Sequence, residues 1–284
     1  MLPRCTVVLL LALAGPGRLH ADDWPVARGP SHEPLPYRFD PKAPIPKPYL
    51  EDSPACVLYS SSTFLVEEDG TVEAVMHEVI RLNSRRAIER LGEYRGLYYD
   101  PSHQKLTLNE ARVHKPDGSA EPVEPRHVHV RDVSTDFFVY DRDKQVVISF
   151  PNLQIGDVLE VRWTTRGKNP QYFGQFFTRY TFGDDRYPTL RDELRVRVPN
   201  SKKLTFTALN GRVAPVIDDD GKATLYRWAV NDVPEMPQDD SLPSRETLQL
   251  QVACSTFASW AEVRAWRWPV ARSLSQIWAR GAGP

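Results

Sequence analysis

The 284-residue chain is 41% apolar and 26% charged, with a formal net charge of −1 and Lys and Arg scattered among Asp and Glu. That balance fits one large soluble domain or two small ones and excludes the basic footprint of a nucleic-acid binder. Three cysteines, one of them at position 5, are too few for a disulfide framework.

Arg4 supplies a positive start, Val7 to Ala14 a short apolar run, and Leu19-His20-Ala21 a small residue for cleavage before Asp22. This is the pattern of a secretory signal over residues 1–21, so export to the periplasm, the cell envelope or the medium is expected. The run is far short of the ~18–20 residues of a membrane span, and no later segment reaches that length. Gly15, Pro16 and Gly17 argue against a buried helix, and Cys5 lies too early to carry a lipid at the cleavage point.

Residues 22–56 contain nine prolines. Each fixes φ and removes an amide donor, so the stretch is expected to be an extended tether with neither helix nor central strand. Signal removal leaves Cys56 and Cys254. An oxidising compartment permits a bridge between them, worth up to ~5 kcal/mol on the chain-entropy model, but sequence does not fix the pairing.

From 57 to 252 the pattern is that of strands. Leu190, Asp192, Leu194, Val196 and Val198 alternate with Arg191, Glu193, Arg195 and Arg197, which predicts one buried face and one wet, basic face. Leu159, Val161 and Trp163 alternate in the same way, and Val146, Ile148, Phe150 and Leu248, Leu250, Val252 mark further strands. Turn pairs such as Asp69-Gly70, Asp117-Gly118, Gly156-Asp157, Asn210-Gly211 and Asp220-Gly221 separate these runs. The predicted fold is all-β, an antiparallel β-sandwich. Between 104 and 114 the apolar parity slips, which a β-bulge near Asn109 explains. One short internal helix is expected over 85–91, capped by Asn83 or Ser84.

Residues 255–284 differ. Ser259-Trp260-Ala261-Glu262 has capping-box spacing, and Val263, Trp266, Val270, Leu274 and Ile277 recur at helical intervals until Pro269 interrupts them. A C-terminal helix therefore begins here.

Candidate chemistry is sparse. A cysteine nucleophile needs a histidine within hydrogen-bond reach, but Cys254 shares the inward parity of Leu250 and Val252, and no histidine follows His129. His127 and His129, spaced i, i+2, would share a strand face and are weak metal candidates without a further ligand. His77-Glu78 is followed by Arg at 81, not His, so the zincin motif is absent. Asp218 to Asp220 before Gly221 read as a solvated turn, not a calcium loop. No cofactor motif is present, and carboxylate pairs for hydrolysis depend on the fold. Tyr172, Phe173, Phe176, Phe177, Tyr180 and Phe182 crowd into eleven residues. Buried they are core; exposed, Tyr172, Phe177 and Tyr180 are candidates to stack on a sugar ring or receive a partner.

Three passages carry a resemblance: Ala111-Arg112-Val113-His114-Lys115-Pro116-Asp117-Gly118, then Ser149-Phe150-Pro151-Asn152-Leu153-Gln154-Ile155-Gly156-Asp157-Val158-Leu159-Glu160, then Ser255-Thr256-Phe257 leading into Ser259-Trp260-Ala261-Glu262. On these the chain from about Leu58 to Val233 resembles the domain of unknown function 3857, an exported bacterial β-domain that usually precedes a transglutaminase-like domain. The resemblance implies that the Cys, His and Asp of catalysis belong to that downstream domain, whose first helix starts at Ser259. No catalytic residue then falls on any position here. The frame is expected to be truncated or shifted near Trp266, the alternative being a short form with a basic amphipathic tail. The expected function is a non-catalytic module that supports or regulates a thiol domain; the alternative is an envelope protein that binds glycan or peptide.

Overall fold

The computed structural model describes residues 24–41, 43–133, 142–236, 243, 245–259 and 261–266. The expected signal and the tail beyond 266 lie outside the described residues. In chain order the elements are β1 (Ala27–Arg28), α1 (Lys47–Glu51), β2 (Ala55–Val66), β3 (Val72–Leu82), α2 (Arg85–Leu91), β4 (Glu93–Tyr99), β5 (Gln104–His114), β6 (Ala120–Pro122), β7 (Val128–Asp132) and β8 (Lys144–Ser149). There follow β9 (Val158–Gly167), β10 (Phe177–Thr181), β11 (Thr189–Pro199), β12 (Thr205–Leu209), β13 (Val216–Asp219), β14 (Ala223–Val233), α3 (Arg245–Leu248) and β15 (Gln251–Ser255).

The fold is an all-β sandwich. One large sheet runs β1-β5-β9-β3-β2-β11-β14-β13, with β6 also on β5, and two three-stranded sheets, β4-β8-β7 and β10-β15-β12, complete it. One apolar cluster joins the large sheet to β4-β8-β7 through residues such as Ile80, Leu97, Ile148 and Leu159. A second joins it to β10-β15-β12 around Leu194, Trp228, Val252 and Phe182. Among the described residues the strands pair mostly antiparallel, as expected, and two pairings are parallel, β1 with β5 and β2 with β11. The β2–β11 pair joins segments more than a hundred residues apart, which no hairpin signal reveals.

Local side-chain chemistry sets the bulge, the helix cap and the turn. The β5–β9 register shifts between Leu108 and Glu110, and the displaced Asn109 uses its amide to bond Gly29 O at 3.0 Å and Thr164 Oγ1 at 2.8 Å. Ser84 caps α2, its Oγ accepting from Ala87 N at 3.2 Å. Gly70 has φ +86°, and a Cβ there would lie 2.3 Å from Gly174 Cα, so only glycine fits that turn.

Three expectations are corrected. Within the proline-rich stretch Lys47–Glu51 is helical, with Pro48 in its first turn, where the missing N–H has no helical partner anyway. Two further short helices, α1 and α3, thus join α2. The proline-rich segment is also no free tether: Tyr37 stacks on Tyr59 at 3.8 Å, and Glu33 is 8% exposed. It lies across the outer face of the large sheet, so the face of β11 predicted to be wet is covered, with Glu193 at 2% and Arg195 at 4% exposure.

Candidate functional site

Strand register sets out a row of polar groups on the inner face of the large sheet. Ser60 on β2 is paired with Glu78 on β3 and with Asp192 on β11, which puts the two carboxyl-bearing residues two strand spacings, about 10 Å, apart. They line a cavity of about 230 Å3 with Ser62, Met76, Trp163, Tyr180 and Asp184. Tyr94 donates to Glu78 Oε2 at 2.6 Å. Tyr180 donates to Asp192 Oδ1, and Gly183 N to its Oδ2 at 2.7 Å.

Burial dominates this site's electrostatics. It pushes the Glu78 carboxyl up to about 7 against the opposing bond from Tyr94. It pushes Asp192 up to about 6 despite bonds from Tyr180 and Gly183, and it raises Asp184. Two carboxyls that exchange protons near neutrality can serve as acid or base. Among the described residues no histidine or cysteine lines the cavity to act as a nucleophile–base pair.

The outer face carries the opposite arrangement. Glu160 accepts from His77 Nε2 at 2.9 Å and from His114 Nε2 at 2.7 Å. Burial disfavours its charge, but the two histidine bonds outweigh that and hold its carboxyl well below the usual range. His77, fully buried, is held below its ordinary pKa by desolvation.

A third feature is an aromatic seat. Phe177 on β10 meets Tyr172 at 4.8 Å, Phe257 at 6.2 Å and Trp266 at 5.6 Å between ring centroids. Residues 261–266 are helical, and half of the expected capping box forms: Ser259 Oγ accepts from Glu262 N at 3.3 Å, while Glu262 Oε2 reaches one residue further back and accepts from Ala258 N at 2.9 Å. Trp266 Nε1 donates to Gln171 O at 2.7 Å. Thr256 ties the seat to the sheet, with Phe176 N donating to its Oγ1 at 2.8 Å.

The candidates read from sequence fall in different places. Tyr172 and Phe177 share the seat, but Tyr180, three residues on along an alternating strand, points its hydroxyl to Asp192; the trio is not one surface. Phe176 and Phe182 are core. His127 closes a 3-10 turn, Pro125–His127, while His129 is in β7, so the two do not share a strand. No group of three or more metal-capable side chains occurs among the described residues. Asp219 and Asp220 bond the amides of their own turn, at Gly221 and at Lys222 and Ala223. Cys56 and Cys254 are both buried free thiols, in separate clusters on opposite faces of the large sheet, which corrects the possible bridge. The signal missed in sequence was an acidic residue at an inward position: Asp192 sits among Leu190, Leu194 and Val196.

Burial pushes the Cys56 thiol up to about 11 and the Cys254 thiol up to about 12, the reverse of what a nucleophile needs. Native protein at pH 8 is expected to react with Ellman's reagent at under about a hundredth of the rate of the urea-unfolded chain, whose thiols titrate near 8.5. Fast stoichiometric labelling of either cysteine in the folded state would refute the assignment.

No helix among the described residues is long and apolar enough to cross a membrane. A search of curated proteins returns no match. Among solved structures the chain is similar to a “putative protease” from Parabacteroides distasonis ATCC 8503, at 17% identity and a TM-score of 0.67 over 72% of this chain and 41% of that one. An M1 zinc metallopeptidase from Deinococcus radiodurans is matched at 12% identity and a TM-score of 0.35, over 70% of this chain and 42% of that one. The first likeness supports the fold alone; the second carries no argument. The chain spans about two fifths of the length of each. The family model of DUF3857, described as a domain of unknown function with solved structure, matches residues 68–237. By that match, over more than half of its length, the chain belongs to the DUF3857 family.

Proposed function

We propose that the chain is an exported, non-catalytic β module that holds a transglutaminase-like thiol domain against its aromatic seat. The observation that carries this reading is the docked helix: residues 261–266, in the stretch that resembles the first helix of that domain, are capped by Ser259 and anchored by Trp266 between Phe177 and Phe257. Such an anchor sets the orientation of whatever follows the helix. The unreactive settings of Cys56 and Cys254 agree with a role that leaves thiol chemistry to another domain. Purified chain is expected to show no peptide hydrolysis and no amine transfer to glutamine peptides above buffer. Activity that copurifies through a second column and is lost in Glu78→Gln or Asp192→Asn would overturn the reading in favour of a carboxyl hydrolase.

A second reading, binding of glycan or peptide at the seat, is favoured by Phe173, which is 63% exposed beside the half-exposed Tyr172 and Phe177. Glycan-array binding abolished by Phe177→Ala, with the melting transition retained, would support it.

A further inference from the structure

The segment over the outer face of the large sheet is held as a bound peptide is held. Glu33 accepts from Arg195 Nη1 at 3.3 Å and lies 3.7 Å from Arg162 Nε. Arg195 Nη1 also donates to Leu35 O at 2.6 Å, and Arg162 Nη2 to Tyr37 O at 3.0 Å. The Tyr37 ring lies flat on Tyr59, and Phe39 meets the edge of His114 at 4.8 Å. Two arginines thus read backbone carbonyls, one carboxylate enters a buried basic pocket, and two aromatic rings land on prepared partners.

The receiving side is organised by the sheet itself. Arg195 is fixed by Glu193 Oε2 at 2.9 Å and by the Tyr59 hydroxyl at 2.8 Å. Arg162 lies 3.7 Å from Glu160, the carboxylate clamped by the two histidines. Most of these groups, from β3, β9 and β11, lie inside the stretch that matches the family, residues 68–237, whereas the covering segment lies outside it. The cover is also an imperfect fit. Glu33 Oε2 and Arg162 Nε are buried without a hydrogen bond, and a cavity of about 70 Å3 remains beneath the segment, lined in part by Tyr37, Phe39, Ile45, Leu58, His114 and Val158.

We propose that the outer face of the large sheet is a peptide-recognition site, occupied in cis by residues 32–39. The occupant it takes in trans is a proline-containing peptide with a carboxylate, an aromatic ring four residues later and a second ring two further on. The cis segment lowers the apparent affinity by the fraction of time that it fills the face. The proposal does not depend on the accessory role.

The test is fluorescence anisotropy with a labelled peptide of residues 31–45 titrated against the full chain. Wild type is expected to bind weakly. The double variant Glu33→Ala with Tyr37→Ala, its own segment loosened, is expected to bind about ten-fold tighter or more, and adding Arg195→Ala is expected to abolish that gain. Phe39→Ala carries the same test if the double variant lacks a cooperative melt. The proposal is overturned if a folded strap variant binds no better than wild type. It is equally overturned if a peptide with alanine at the Glu33 and Tyr37 positions binds as well as the native one.

Discussion

Arg195→Met is expected to destabilise the protein by about 3–5 kcal/mol, which at about 2–4 °C per kcal/mol lowers Tm by about 10 °C. The Arg195 side chain is 4% exposed and holds two carboxylates that are themselves buried, Glu193 and Glu33. Removing it leaves Glu193 to Arg191 and Glu33 to Arg162, 3.7 Å away, in a low-dielectric site, and it also deletes the donors to Leu35 O and the Tyr59 hydroxyl. Desolvation alone would raise the Glu193 pKa; its net lowering rests on Arg195 and Arg191. Arg197→Met is the control. Its partner Asp220 lies at 2.8 Å, but the two side chains are 39% and 56% exposed, and such pairs are worth about 1 kcal/mol or less. Urea unfolding of both variants at neutral pH checks the contrast; equal losses would mean that the outer face is wet.

Glu78→Gln is expected to stabilise the protein at pH 8, on the order of 2 kcal/mol, and to change little at pH 4.5. A carboxyl whose folded pKa is raised binds its proton more tightly folded than unfolded. Its contribution is therefore complete below the ordinary value of 4.5 and is lost as pH climbs through about 7. Gln keeps an acceptor for Tyr94 and cannot ionise, so the variant escapes that loss. Asp192→Asn should behave alike, with its window ending near 6. The outer face has the opposite sign: Glu160 and His77, both with depressed folded values, lose stability as pH falls. Because those terms are common to variant and wild type, the difference between their urea midpoints across pH 4.5–8 isolates Glu78. A difference that does not vary with pH would contradict burial as the cause.

Much of the sandwich was legible because strand periodicity, turn glycines and one parity slip are local signals. The alternation at 190–198 gives β11, and the slip at 104–114 gives the bulge at Asn109. What covers each face was not legible. Arg195 reads as solvent-facing until Glu33 and Leu35, about 160 residues earlier, are laid over it. The site was partly legible in the same sense. Tyr172 and Phe177 stood out as aromatic crowding, but the pairing of Glu78, Ser60 and Asp192 across three strands needs the β2–β11 register. In sequence His77-Glu78 reads only as a failed zincin, whereas alternation sends its two members to opposite faces of the sheet.

The accessory role is tested most directly by resequencing the gene through the codon for Pro284 and beyond, translating all three frames. The account predicts an open frame that continues the helix docked by Trp266 and then encodes a cysteine, a histidine and an aspartate in that order, with transglutaminase-like surroundings. A confirmed stop, with no such frame downstream, would contradict the accessory role and leave the seat to a ligand of another kind.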